Sequence, residues 1–362
     1  MQLSSKCYNY LNNSFQMIIR KANDGDSEAL IALTSVTPMK GTISLRIDRK
    51  PDFFALLKER GEFIVWVATD TSGNVVGSFS AALQNFVLAN EISQAYYVGD
   101  LKVHPSFTKT TIAYRLVKSM YTYLKQSGAD LLLCTAAAAN EAVFPFFEGR
   151  AGIPSFLLTC TFNIYQLLPK HFLRNKAVIW NSDNPALLSF YNTYLKRYHI
   201  HPTIICLDHC INIFIKEEGH IKAALSLYDP GSLKQNVIVD YTLYLSALLQ
   251  LLRSVRLFLP LPPLPKKGEA LRLLYIRYYG FEAGAETFFL KLINTARSYA
   301  FNHDFHFLTI AVDDKDEVLK KFIKPMSRFN FQSHQFITSL KGNNELLHTI
   351  RDHLNYEDYS LV

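Results

Sequence analysis

The sequence predicts two α/β domains in tandem, residues 1–168 and 169–362, each a central mixed twisted sheet flanked by helices in an α+β arrangement. Three observations predict it. Apolar runs of strand length alternate with amphipathic runs of helix length, the same succession occurs twice, and 362 residues leave room for two domains of ordinary size. Hydrophobic residues make up 49% of the chain and aromatics 13%, enough for substantial cores and too much for a disordered chain.

The elements follow in order. Residues 17–22 read as a first strand, and Asp24, Asp26 and Ser27 supply caps before a helix carrying Leu30, Ile31 and Leu33. A second helical region is expected around residues 39–54. Residues 63–68 and 74–80 form a hairpin turning at Asp70 to Gly73. Residues 95–103 make a central strand, which Pro105 ends because it has no N–H for a ladder. After a turn at residues 108–111, a helix over 112–126 places Ile112, Leu116, Met120 and Leu124 on one face, about four residues apart. Residues 129–135 are an apolar strand, and Asn140 opens another helix that runs through Phe146 and Phe147.

Beyond a link at residues 168–175 the pattern repeats more weakly. A strand at 177–180 precedes a helix from Asn184 to Tyr198 with Pro185 in its first turn. A hairpin of residues 211–215 and 220–228 turns at Glu217 to Gly219, and strand 270–278, helix 283–299, strand 305–311, helix 317–329 and strand 331–340 complete the half. The insertion at residues 241–267, an apolar helix followed by a proline-rich run over 260–265, has no counterpart in the first half. It is expected to pack on the other domain or line a shared cleft, as a stiff connector.

Chemistry concentrates at residues 97–156. Thr108, Lys109, Thr110 and Thr111 bring hydroxyls, a cation and free amides to a helix start. Such an end carries unpaired N–H groups and roughly half a positive charge, which suits a pyrophosphate. Here the chain resembles the GNAT superfamily of acyl-CoA-dependent N-acetyltransferases. The strand Leu101-Lys102-Val103-His104-Pro105 is similar to the family's L-x-V-x-P, and Thr108-Lys109-Thr110-Thr111-Ile112-Ala113 aligns with its R/Q-x-x-G-x-G/A phosphate turn. Thr108 replaces the Arg or Gln, Thr111 the central Gly, and Ala113 keeps the small residue. Residues 140–153 resemble the family's N-x-x-A-x-x-F-Y-x-x-x-G-F helix, with Phe147 where a tyrosine often stands. In the second copy, the turn Gly280 to Ala285 corresponds to the phosphate turn but carries Glu282, a charge that opposes a pyrophosphate.

The resemblance implies acetyl-CoA as co-substrate, bound by Leu101, Lys102, Val103, Thr108, Lys109, Thr110, Thr111, Ile112, Ala113 and Asn140, and a small-molecule or peptide amine as acceptor. Direct attack on a thioester requires deprotonating an ammonium and protonating a thiolate. Asp100, at the strand end, is the candidate proton acceptor, or else a polar residue fixing that end. With Phe147 lacking a hydroxyl, and Phe322 in a similar helix of the second copy, Tyr96, Tyr97 and Tyr114 are the nearby phenols. A catalytically degenerate member, binding acyl-CoA or another ligand as a regulator, is the alternative.

The net charge of +7 raises nucleic-acid binding, but lysines and arginines are scattered rather than set in a stripe, which argues against it. Attraction to CoA phosphates or an anionic acceptor accounts for the charge. Residues 1–15 lack a leader pattern, and residues 243–264 are interrupted by arginines and prolines, so a cytoplasmic protein without a membrane span is expected. Five cysteines fit buried thiols better than disulfides. His199, His201, Cys206, His209 and Cys210 gather metal-type ligands, but at no standard zinc spacing, and no metal is expected.

Overall fold

The structure, a computed structural model, describes residues 17–38, 43–150, 152–172, 176–180, 184–203, 207, 209–255 and 263–362. In the first half, β1 (Ile18–Lys21), α1 (Ser27–Ser35), β2 (Ile43–Asp48), α2 (Ala55–Arg60), β3 (Phe63–Thr69), β4 (Val75–Leu88), β5 (Glu91–Val103), α3 (Ile112–Gln126), β6 (Leu131–Ala137) and β7 (Leu157–Leu167) follow one another. The second half contributes β8 (Ile179–Trp180), α4 (Asn184–Leu195), β9 (Ile200–Pro202), β10 (Ile211–Glu217), β11 (His220–Tyr228), β12 (Gln235–Tyr241) and α5 (Leu243–Val255). It continues with β13 (Ala270–Leu271), β14 (Leu273–Phe281), α6 (Glu286–Asn302), β15 (Phe307–Asp313), α7 (Glu317–Ile323), β16 (Ser327–Ser339) and α8 (Asn344–Asp352).

Among the described residues one 13-stranded sheet runs through both halves in the order β1-β3-β4-β5-β6-β16-β7-β15-β14-β11-β10-β8, with β9 on β4. The halves exchange their last strands. β16, from the end of the chain, lies between β6 and β7 of the first half, with Phe336 opposite Cys134. β7 in turn lies against β15 of the second half, with Tyr165 opposite Ile310. Residues 1–168 and 169–362 therefore cannot separate without breaking five antiparallel ladders, these three together with β4–β9 and β2–β12. Apolar alternation announces a strand but not its partner, so this exchange is silent in the sequence.

Two helical layers sandwich the first half of the sheet. The α3 stripe of Ile112, Leu116, Met120 and Leu124 is fully buried against Ala68, Val76, Val98 and Leu132. Each such side chain contributes about 1.5–3 kcal/mol by leaving water. On the other face, Leu30 of α1 and Phe53, Phe54 and Leu57 around α2 pack on Val65, Val67 and Ala82. Gly77 of β4 lets α3 come close, since a Cβ there would lie 2.8 Å from Ile112 Cγ2 and 2.9 Å from Leu116 Cδ1.

Three expectations need correction. The second helical region holds a strand, β2, whose Ile43 and Leu45 join a cluster with Ile238 and Leu271, and β2 pairs with β12 in a separate three-stranded sheet. Met39 to Thr42 lie outside the described residues. The helix expected from Asn140 is a 3-10 run, Glu141–Phe147, because Pro145 inside it has no N–H for an α-helical bond. The helix expected over 317–329 ends at Ile323, and Pro325 follows within a 3-10 turn before β16 begins at Ser327.

In the insertion, Arg253 Nη2 of α5 donates to Pro265 O at 2.8 Å, while Pro260 to Pro262 lie outside the described residues, as do Cys7 and Cys206. Cys134, Cys160 and Cys210 are buried. Among the described residues, no helix is long and apolar enough to cross a membrane, and no group of three metal-type side chains converges.

Candidate active site

The central strands part midway along β5, ahead of the turn at residues 108–111. β5 and β6 are paired in parallel only from Ala95–Leu131 to Tyr97–Leu133. Beyond this point β5 stays on β4 and β6 stays on β16. Residues 99–103 and 135–137 then face a gap, and among the described residues no hydrogen bond crosses from residues 101–103 to residues 135–137. Leu101, Lys102 and Val103 form one wall of this splay. A bulge between Ser78 and Ser80 turns the strand there. At the bulge Asp100 takes φ +55°, a left-handed conformation that short polar side chains tolerate. Ser80 Oγ donates to Gly99 O at 3.0 Å and to Asp100 Oδ2 at 2.9 Å, and Ser78 Oγ donates to Asp100 O at 3.0 Å.

The turn after the splay is held by its own side chains. Thr108 Oγ1 donates to Pro105 O at 3.1 Å and Thr110 Oγ1 to Phe107 O at 2.6 Å. Thr111 is the N-cap of α3, and its side chain makes no capping bond. The amides of Lys109, Thr111 and Ala113 find no acceptor among the described residues, while the Ile112 amide reaches Thr110 Oγ1 at 3.4 Å. Ile112 itself is buried under the sheet, so it supports the turn rather than lining it. Asn140 is exposed at the head of the 3-10 run, with no side-chain cap bond. Phe147 stacks on Phe336 with ring centroids 4.2 Å apart. Tyr96 packs on the α3 face, whereas Tyr97 points to the opposite face among Leu131, Leu133 and Ile337.

On that opposite face the sequence concealed a buried charged cluster. Arg49 Nη2 donates to Asp100 Oδ1 at 2.6 Å, so both carboxylate oxygens of Asp100 are engaged. Burial lowers the Lys102 ammonium, with the Asp100 carboxylate opposing and Arg49 reinforcing the shift. Burial, with Arg60 and Arg49 nearby, pushes Lys234 down to about 7, and its Nζ donates to Val362 O. Arg60 donates to Leu361 O and lies 3.6 Å over the Tyr97 ring. Glu357 accepts from Gln335 Nε2 at 2.9 Å, and burial pushes its carboxyl up to about 7, against Arg60 and the Gln335 bond. Arg277 pairs with Asp358 at 2.7 Å. A cavity of about 100 Å³ opens onto this cluster, lined by Glu59, Arg60, Gln84, Arg277, Glu357 and Asp358 among others. These residues come from segments far apart in the chain. Their one signal is the density of acids and tyrosines in residues 355–359.

The second copy repeats the splay and fills it. β14 and β15 pair only from Leu273–Phe307 to Tyr275–Thr309. Past that point Asn355 N donates to Asp313 Oδ2 at 2.8 Å, and Tyr356 OH donates to Arg277 O. Tyr356 packs its ring 5.3 Å from both Tyr198 and Tyr279. The turn that follows is acidic: Glu282 pairs with Lys222 at 2.7 Å, and Glu286 opens α6.

Residues 34–153 match the acetyltransferase (GNAT) family. The fold is similar to that of Saccharomyces cerevisiae N-myristoyltransferase with bound myristoyl-CoA, at 11% identity and TM-score 0.61, over 89% of this chain and 82% of that one. A second structure of that yeast enzyme with myristoyl-CoA gives 12% identity and TM-score 0.58 over 89% and 78%. A conserved protein of unknown function from Enterococcus faecalis V583, a probable N-acyltransferase, gives 9% and 0.52 over 89% and 72%. The comparison with curated proteins finds no match. A match to the acetyltransferase (GNAT) family across the first splay thus sits within a fold that, over both halves, is similar to that of N-myristoyltransferase.

Proposed function

We propose that the protein is an N-acyltransferase that moves an acetyl group from acetyl-CoA to a primary amine, with the acyl carrier in the first splay and the amine in the cavity between the halves. The observation that carries this reading is the contrast between the two splays. One keeps free main-chain edges and unpaired amides at the following helix, and the other is filled by residues 355 and 356. In this reading the main chain of Leu101 and Val103 bonds the pantetheine as an added strand. The amides of Lys109, Thr111 and Ala113 hold the pyrophosphate, with the Lys109 side chain and the hydroxyls of Thr108 and Thr110 beside it and Asn140 at the far wall, while the Lys102 side chain is buried beside Asp100 and Arg49 and contributes only its main chain. Asp100, saturated by Arg49 and Ser80, fixes the bulge and the guanidinium.

Titrating acetyl-CoA into Thr111→Trp and Gly284→Trp tests the placement. The first variant is expected to lose at least tenfold in affinity and the second to keep it, and unchanged affinity in Thr111→Trp would sink the assignment. Myristoyl-CoA in the same titration tests the acyl group, with weaker binding than acetyl-CoA expected. A second reading, an acyl-CoA-binding regulator, is favoured by Phe147, whose stacked ring offers no proton to a thiolate. Absence of turnover across a panel of amines, with acetyl-CoA bound, would establish that reading instead.

A further inference from the structure

The segment that fills the second splay ends at the first one. Asn355 and Tyr356 are held by Asp313 and by Arg277 O of the second half. The next residue, Glu357, reaches Gln335 of β16, which pairs with Thr135 of β6 at the edge of the first splay. Glu357 also lines the cavity and is 8% exposed. We propose that Glu357 binds the ammonium of the acceptor and takes its proton, and that the degenerate second splay serves as the clamp that delivers this carboxylate to the first.

The proposal rests on the acyl-transfer reading above. Among the carboxylates lining the cavity, Asp358 is neutralised by Arg277, while Glu59 lies nearer the surface. Arg60 from α2 faces Glu357 but is turned onto the Tyr97 ring and Leu361 O, leaving Gln335 as the hydrogen-bond donor to Oε2. Tyr97 of β5, Cys134 of β6 and Asp358 on its own segment also face the carboxylate, and His209 lies at the cavity wall. Tyr97 and Cys134 stay protonated, because burial raises both. A base poised near neutrality accepts a proton most effectively, and burial brings Glu357 to that range. An ammonium entering the cavity gives one proton to Glu357, and the freed nitrogen lone pair attacks the thioester carbon. The C–N bond forms as the C–S bond breaks. Of the two protons that nitrogen loses, one passes from Glu357 to solvent and the other ends on the CoA sulfur.

The test uses the full chain with acetyl-CoA and n-butylamine. Glu357→Gln is expected to lower kcat about 100-fold or more, within the range for loss of a general base, to abolish the rise of rate with pH through neutrality, and to leave the acetyl-CoA Kd within twofold. Glu357→Asp, which keeps the charge but retracts it, is expected to lose about tenfold and to retain the pH break, and it carries the test if the Gln variant does not fold. Tyr356→Phe, which loosens the clamp, is expected to lower kcat without moving that break. Equal kcat in wild type and the Glu357 variants, with acetyl-CoA bound by both, overturns the proposal while leaving the acyl-transfer reading intact. If wild type binds no acetyl-CoA that reading fails, and n-butylammonium binding by calorimetry decides the ammonium site. Tenfold weaker binding in Glu357→Gln supports it, and equal binding overturns it.

Discussion

Replacing Asp100 by Asn removes one charge from a buried pair while leaving the backbone free to keep its shape, because Asn tolerates the φ of +55° as Asp does. Only 8% of the Arg49 side chain and 12% of the Asp100 side chain are exposed, at an N–O separation of 2.6 Å. Nε and Nη1 of Arg49 have no partner, so Asp100 is the main compensation for that guanidinium. The gross attraction is about 6 kcal/mol at an effective dielectric of about 20. Breaking such a pair from one side costs about 3–5 kcal/mol, since a buried charge is left behind. Asp100→Asn is therefore expected to lose about 3 kcal/mol, and Arg49→Met a similar amount. The double variant should lose only about 1–2 kcal/mol, because a pair replaced by neutral groups leaves no orphan charge. Urea denaturation followed by fluorescence of Trp66 in β3 and Trp180 in β8 measures this, with coincident transitions checking that the sheet unfolds as one unit. Additive losses, within about 0.5 kcal/mol, would refute the coupling. The same Asp100→Asn variant is expected to lower turnover more than acetyl-CoA affinity, and unchanged turnover would remove Asp100 from the site.

Other outcomes follow from the packing and the buried charges. Gly77→Val brings a Cβ to 2.8 Å from Ile112 Cγ2, so about 1–3 kcal/mol of stability is expected to be lost. The displaced start of α3 should also weaken acetyl-CoA binding, measurable by calorimetry. The folded Glu357 carboxyl keeps its proton to about 7, whereas the unfolded chain releases it near 4.5. Between those pH values the unfolded state binds fewer protons, so the native state loses up to about 3 kcal/mol as pH rises. Glu357→Gln should therefore melt at a higher temperature than wild type above pH 7 and at the same temperature near pH 4.5. A constant difference across that range would contradict the burial of this group.

Much of the fold was legible because it is local. The apolar spacing of Ile112, Leu116, Met120 and Leu124 marked α3 at its observed bounds, and the turns at Asp70 to Gly73 and Glu217 to Gly219 marked both hairpins. What failed was local too. Residues 43–48 alternate as a strand does, but their partner is β12, nearly 200 residues away, so no neighbouring segment marks them as one. The site was half legible. Leu101 to Val103 and the turn at Thr108 to Ala113 follow one another in the chain and could be found by pattern. Arg60, Lys234, Gln335 and Glu357 could not, since each lies on a different segment and only long-range contacts bring them together.

The sequence by itself determined the alternation of strands and helices, its repetition and the turn after β5, since hydrophobic period, proline and small residues act within a few positions. Only the tertiary structure decided that the halves exchange β7 and β16, that the second splay is filled by the chain's own residues 355 and 356, and that Glu357 stands where the two meet. Strand partnership and the burial of single charges depend on contacts between distant segments, and no local pattern encodes them.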